Sequence, residues 1–328
     1  MKLTHILKAS AAFVVVAGIA APAGAAEKWD MPMAYSASNF HSENGATFAA
    51  CVTEKTGGEL EIVTHPGGSL FKGGEIKRAI QTGQVPIGER LLSAHANENP
   101  LFGIDSVPFL ATSFDDSVKL YEAAKPELEK ALDEQNMVLL YSVPWPPQGL
   151  YFKKEVSSVA DMEGLKFRAY NAATSRLAEL AGMQPTQIEA AEVQQAFATG
   201  AVDSMVSSGA TGYDRKVFDA GVTNYYEVDA WLPRNSVMVN KDMWESASDA
   251  SKTALTECAG EAEARGLQAS RDYTQFTYDG LREGGMTVEP ASDGLKGELQ
   301  EIGATMTTEW LESAGDTGAM IVEKFKGM

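Results

Sequence analysis

Residues 75–85, Glu75-Ile-Lys-Arg-Ala-Ile-Gln-Thr-Gly-Gln-Val85, return without a gap as Glu192-Val-Gln-Gln-Ala-Phe-Ala-Thr-Gly-Ala-Val202. The offset is 192 − 75 = 117; five of the eleven positions are identical, and two more exchange one large apolar residue for another. Each copy reads as a helix, a glycine stop and a strand. In the first copy Ile76, Ala79 and Ile80 share one helical face, and Gly83 supplies the C-terminal stop. Helix–glycine–strand units look alike in unrelated chains, so a chance match stays open beside a second reading, two α/β lobes of related plan. Two such lobes enclose a cleft, and ligands favour inter-lobe clefts and the strand ends of α/β sheets.

The flanking sequence keeps the alternation. Leu60-Glu61-Ile62-Val63 reads as a strand, followed by the turn cluster His65-Pro66-Gly67-Gly68. Gly73-Gly74 opens the helix Glu75 to Thr82, and Val85-Pro86-Ile87-Gly88 follows as a short buried strand. Residues 116–135 carry Val118, Leu120, Tyr121, Leu128, Ala131 and Leu132 on a charged helical background, and Met137 to Tyr141 is a further strand. This is an α/β pattern. Between Pro233 and Pro290 there is no proline, and Leu255, Cys258, Ala262, Ala269, Tyr273 and Phe276 recur at three- and four-residue steps. One or two long helices are expected after Asn240, with Gly260 and Gly266 arguing against a single unbroken one. Residues 291–328 also read as helical and acidic.

The chain has 328 residues, 44% of them apolar, and a net charge of 27 − 45 = −18. That length suggests two domains at roughly 150 residues each. Lys2 and Lys8 sit in a leader-like segment without acids, so the remaining chain is near −20. A surface this acidic disfavours nucleic acid and anionic lipid as partners. Residues 1–25 read as an export signal, with an apolar run from Ala11 to Ala21 too short to span a bilayer and a small-residue cleavage site at Ala23-Gly24-Ala25. No later segment is apolar enough for membrane insertion, and a bacterial periplasm is the expected location. Cys51 and Cys258 exclude a disulfide scaffold. They could pair in an oxidising compartment, but they are read here as two buried free thiols.

Motifs for chemistry are missing. The sequence contains no Gly-x-Gly-x-x-Gly, no phosphate loop, no Gly-x-Ser-x-Gly elbow and no His-Glu-x-x-His. His41, near Glu43, is read as a surface or helix-start residue and His65 as part of a turn. The run from Gly67-Gly68-Ser69 to Gly73-Gly74 could cradle an anion, although a tight turn explains it too, and Glu75 fits as a partner of the helix dipole. No catalytic residue, no metal and no cofactor is expected.

A resemblance rests on ordered segments. Asp161-Met-Glu-Gly-Leu-Lys-Phe-Arg168 precedes the helix 190–199 and then Gly200-Ala201-Val202-Asp203. Around them lie Thr56-Gly57-Gly58-Glu59-Leu60, Asp105-Ser106-Val107-Pro108-Phe109-Leu110, Pro144-Trp145-Pro146-Pro147-Gln148-Gly149, and Ala230-Trp231-Leu232-Pro233-Arg234-Asn235 before Val239-Asn240-Lys241. In this order they resemble the solute receptors of TRAP (tripartite ATP-independent periplasmic) transporters. The likeness covers nearly the whole chain after the leader.

The resemblance implies a two-lobed α/β periplasmic binding protein with interleaved lobes, a hinge and long C-terminal helices spanning both. One lobe would comprise 26–148 plus about 236–265, the other 149–235 plus the C-terminal helices to 328. Such receptors take a small organic acid to an ion-gradient-driven membrane permease. Arg168 matches the arginine that holds the ligand carboxylate, and its guanidinium fork suits that group. Ser207 stands where many relatives have an asparagine on the same carboxylate. A second basic residue, frequent after Gly149 in receptors for acidic sugars, is absent, and Tyr151 is the nearest candidate. A monocarboxylate with an uncharged remainder is therefore expected, a hydroxy, sugar or aromatic acid. Phe40, Trp145, Tyr151, Tyr170 and Trp231 would shape the wall and Asn235 would add a hydrogen bond. Glu89 would accept from ligand hydroxyls or pair with Arg90. The rival readings are an amine or peptide receptor of another importer, and a secreted enzyme using Glu89 or His41.

Overall fold

A computed structural model describes residues 26–328; the export signal read at 1–25 lies outside the described residues. The first lobe is built on β1 (Glu27–Pro32), β2 (Leu60–His65), β3 (Ile87–Leu91), β4 (Met137–Pro144) and a late strand, β10 (Arg234–Asn240). β1 and β2 pair in parallel, while β10 runs antiparallel between β3 and β4. A parallel bridge between Met33 and Glu89 joins the two groups. The second lobe is one six-stranded sheet. It contains β5 (Gln148–Phe152), β6 (Lys166–Ala169), β7 (Gln184–Gln187), β8 (Ser204–Ser208), β9 (Asn224–Glu227) and β11 (Thr287–Pro290), in the order β11-β9-β5-β8-β6-β7.

Helices α1 (Phe40–Lys55), α2 (Gly73–Gln81) and α3 (Phe114–Asp133) cover the first lobe, and α4 (Ala172–Leu180), α5 (Val193–Ala198) and α6 (Gly209–Asp214) the second. The short α7 (Lys241–Ser246) leads into α8 (Asp249–Glu283) and α9 (Asp293–Lys326). The chain crosses between sheets at 144–148 and at 227–234, so the lobes are interleaved. α8 packs on α1 and β4 at one end and on α6 and β11 at the other, and α9 touches both α3 and α4. Local chemistry sets the helix starts: Asn39, Ser113, Asn171, Ser248 and Ser292 each accept a backbone N–H at the first turn of α1, α3, α4, α8 and α9.

One open alternative is settled and one expectation corrected. α8 is one continuous 35-residue helix despite Gly260 and Gly266. At Gly266 a Cβ would run into Val143 of β4, so glycine there lets the helix lie close on the sheet and tertiary packing overrides propensity. Cys51 and Cys258 are not free thiols: they form a disulfide joining α1 to α8 across 207 positions. The echo quoted above continues further. β3 and β8 keep the same offset, 204 − 87 = 117 and 208 − 91 = 117, and lie in different lobes. Gly83 and Gly200 both have φ of 70°, the left-handed conformation that ends each preceding helix.

Candidate functional site

Between the two sheets lies a narrow cavity with about 30 Å³ of free space. β6 delivers Arg168 to it, β8 delivers Ser207 and Ser208, and the first crossing segment supplies Trp145 and Gln148. Of the nine residues expected at the site, Arg168, Ser207, Trp145 and Tyr170 line it.

Arg168 is 3% exposed. Its Nε donates to the carbonyl of Ile188 at 2.8 Å, and its guanidinium lies 5.3 Å from the Tyr170 ring centroid. Among the described residues no carboxylate lies within ion-pair reach of it. Burial pulls its pKa down to about 10, against the favourable field of Tyr170, so it stays charged at neutral pH. A buried, charged fork with no acid of its own has the chemistry to receive an anion. The Ser207 hydroxyl likewise makes no side-chain hydrogen bond among the described residues.

Other wall groups are held by their own bonds. Trp231 Nε1 donates to the Tyr170 hydroxyl at 2.9 Å, which donates to Gln148 Oε1 at 3.1 Å, while Gln148 Nε2 donates to the Pro146 carbonyl at 3.0 Å. This relay fixes the Tyr170 ring. Trp145 Nε1 donates to Asn235 Oδ1 at 2.8 Å, and Asn235 Nδ2 donates to Glu89 Oε1 at 3.0 Å. Trp231, Asn235 and Glu89 thus stand one layer behind the cavity and orient Tyr170 and Trp145 rather than lining it. Glu89 is buried, which pushes its carboxyl up to about 7 against the bond from Asn235. It does not pair with Arg90.

Tyr151 and Phe40 are also not brought to the cavity. Tyr151 packs 4.5 Å from the Tyr225 ring and donates to the Ser208 carbonyl at 2.8 Å. It sits beneath Gly212, where a Cβ would strike the Tyr151 ring. Phe40 packs edge-on to Trp145 at 5.4 Å and supports it from behind. His41 is buried in the same aromatic group, 4.3 Å from the Trp145 ring, and burial holds its pKa well below the usual histidine range. It is a core residue rather than a surface one.

The lining residues not anticipated from sequence at this site include Tyr35, Thr211, Arg90 and Glu189. Tyr35 lies 4.7 Å from Trp145, and burial raises its phenol to about 12 against the opposing field of Arg90. Arg90 on β3 reaches across the cleft and grips Glu189 of the second lobe through both Nη atoms, at 3.2 and 2.9 Å. Asn171 Nδ2 to Ser93 Oγ (3.1 Å) and Asn39 Nδ2 to Asp214 Oδ2 (2.8 Å) bridge the lobes as well. The internal repeat held a signal for Arg90, since 90 + 117 = 207 makes it the counterpart of Ser207. With two arginines and one glutamate, the lining carries 2 − 1 = +1 in a chain of −18.

The fold recurs in known proteins. A marine-metagenome TRAP solute-binding protein specific for pyroglutamate, solved with that compound, is 54% identical and superposes with a TM-score of 0.91 over 92% of this chain and 99% of its own. DctP6 of Bordetella pertussis, an extracytoplasmic solute receptor binding pyroglutamic acid, is 44% identical with a TM-score of 0.90 over 92% and 100%. The monocarboxylate 2-oxoacid-binding periplasmic protein of Nostoc sp. is 24% identical over 280 residues, 84% of this chain and 77% of that protein. Residues 33–313 match the bacterial extracellular solute-binding proteins, family 7, and the chain belongs to that family of TRAP solute receptors.

Proposed function

We propose that the protein is a periplasmic receptor for a small cyclic monocarboxylate, pyroglutamate first among them, which it carries to the membrane permease of a TRAP transporter. The observation that carries this reading is Arg168, buried at the inter-lobe cavity with its two Nη groups unengaged by any acid of the described residues. A carboxylate there would accept two parallel charge-assisted bonds. Ser207 stands close by to add a third donor, and Trp145 and Tyr170 would flank the ligand body. The relatives at 54% and 44% identity were solved with, or bind, pyroglutamate. Among the described residues no helix is long and apolar enough to cross a membrane.

On this reading the ligand leaves unaltered, and lobe closure, about the crossings at 144–148 and 227–234, buries the ion pair away from water. The protein's overall negative charge repels an anion at long range, so capture relies on the local +1 of the cavity. A thermal-shift screen tests the proposal. At a thousandfold excess over Kd a ligand adds about 4 kcal/mol to stability. Pyroglutamate and similar monocarboxylates are expected to raise Tm by several degrees; stabilisation by amines or peptides and by no acid would overturn the reading. Mass spectrometry of the stabilising ligand after incubation is expected to recover it intact, and turnover would point to an enzyme.

A further inference from the structure

Arg90 is the second arginine of the cavity, and its charge is spent. Both Nη atoms bond Glu189, 99 positions away and in the other lobe, while Arg90 Nε is buried without a hydrogen-bond partner among the described residues. Arg90 is 5% exposed at its side chain and Glu189 46%. The pair is built into the wall. It shares one face with Arg168 and Ser207, and its other face borders an outer hollow lined by His95, Asn97 and Gln187.

The first turn of α2 makes room for it. A Cβ at Gly73 would lie 2.6 Å from Arg90 Nη1 and 3.0 Å from Glu189 Oε2, so glycine there leaves the pair room that any side chain would press on. The anion at this glycine-rich helix start is thus the protein's own Glu189 carboxylate, favoured there by the helix dipole. Through the internal repeat Arg90 occupies the position that Ser207 holds in the second lobe, so the two lobes offer the cleft one residue each from equivalent places.

We propose that the Arg90–Glu189 pair sets the substrate class: by occupying the second guanidinium with an internal carboxylate, it makes the cavity accept one ligand carboxylate and reject two. Glu189 acts here as a stand-in for the second carboxylate of a dicarboxylic acid. A dicarboxylate entering the cleft must either displace Glu189 from Arg90 or leave its own second charge facing Glu189, and both cost binding energy. The inference rests on the monocarboxylate reading above and deepens it.

Pyroglutamate and glutarate are suitable probes, because both have five carbons and nine non-hydrogen atoms, one closed at its far end into a neutral lactam ring and the other an open chain ending in a second carboxylate; the variants below separate charge from shape. Calorimetry on the wild-type chain is expected to give glutarate at least a hundredfold weaker than pyroglutamate. Equal affinities would overturn the proposal without any variant. In Glu189→Gln, with folding checked by circular dichroism, the ratio of the two dissociation constants is expected to fall at least tenfold. In Arg90→Met/Glu189→Gln it should fall by less than tenfold, because the guanidinium that would take the second carboxylate is gone. A smaller fall in the single variant, or an equal fall in both, would overturn the proposal. A wild-type chain that binds neither acid would overturn the monocarboxylate reading itself, a distinguishable result.

Discussion

Replacing Arg168 separates binding from folding in an unusual way. In most proteins, truncating a buried arginine strands a buried acid. Here the guanidinium has no acid partner among the described residues, and its one side-chain bond is Nε to the Ile188 carbonyl. Arg168→Met keeps the aliphatic length, removes a desolvated charge and loses that single bond. The lost bond costs about 1 kcal/mol, and removing an unpaired buried charge offsets it. The ligand-free variant is therefore expected within about 1 kcal/mol of wild type by urea unfolding. Binding should behave otherwise. Truncating one partner of a buried charged pair costs about 2–5 kcal/mol, which is about thirty- to five-thousandfold in Kd. Arg168→Lys restores the charge without the fork and should recover about tenfold of the loss. The assay is calorimetric titration with pyroglutamate. Arg168→Met binding within threefold of wild type would refute the argument, as would a variant that loses affinity only because it no longer folds.

Other consequences follow from buried groups and from the lobe connections. Glu89, raised from its ordinary 4.5 to about 7 by burial, holds more protons folded than unfolded between those values. Its contribution to stability therefore declines as pH rises from 4.5 to 7, by on the order of 2–3 kcal/mol. Glu89→Gln keeps the oxygen that accepts from Asn235 and should flatten that part of the loss between pH 5 and pH 8 in urea midpoints; an unchanged slope would exclude a buried titrating Glu89. Asp105 is raised to about 7 by burial in the same direction, so some slope should persist in the variant. The Cys51–Cys258 bond closes a loop of 207 positions, for which the chain-entropy account gives about 5 kcal/mol. Cys51→Ser/Cys258→Ser should lower the urea midpoint markedly, and a midpoint equal to wild type under oxidising conditions would show that the bond does not form. Solution scattering should show a smaller radius of gyration with saturating pyroglutamate, since the closing contacts Arg90–Glu189 and Asn171–Ser93 span the lobes; an unchanged profile would count against closure.

The sequence was most legible where structure is local. Helix and glycine stop lie within 75–85 and 192–202 as the spacing suggested, while the strands start two residues beyond each copy, at Ile87 and Ser204, rather than at Val85; at the same offset of 117 they face one cleft from two lobes. Arg168, Ser207, Trp145 and Tyr170 were placed at the cavity through the segments they belong to. Depth within a segment was harder. Tyr151 and Gly149 share one face of β5, and Gly149 has no room for a side chain because a Cβ would meet Tyr225; Tyr151 follows it into the second-lobe core. Trp231, Asn235 and Glu89 come from cleft segments too, yet their polar atoms are consumed in orienting Tyr170 and Trp145. Nothing in one dimension distinguishes a wall residue from the one bracing it. Long-range pairings were harder for a different reason: Arg90–Glu189 across the lobes and the Cys51–Cys258 bond within the first, which the sequence left as an open alternative, depend on how sheets and α8 meet, which periodicity does not encode.

The most direct measurement is a crystal structure of the protein grown with pyroglutamate. The compound is expected between the lobes, its carboxylate within hydrogen-bond distance of both Arg168 Nη atoms, its ring against Trp145 or Tyr170, and Arg90 still held by Glu189. Pyroglutamate bound elsewhere, or in the cleft with its carboxylate turned away from Arg168, would contradict it.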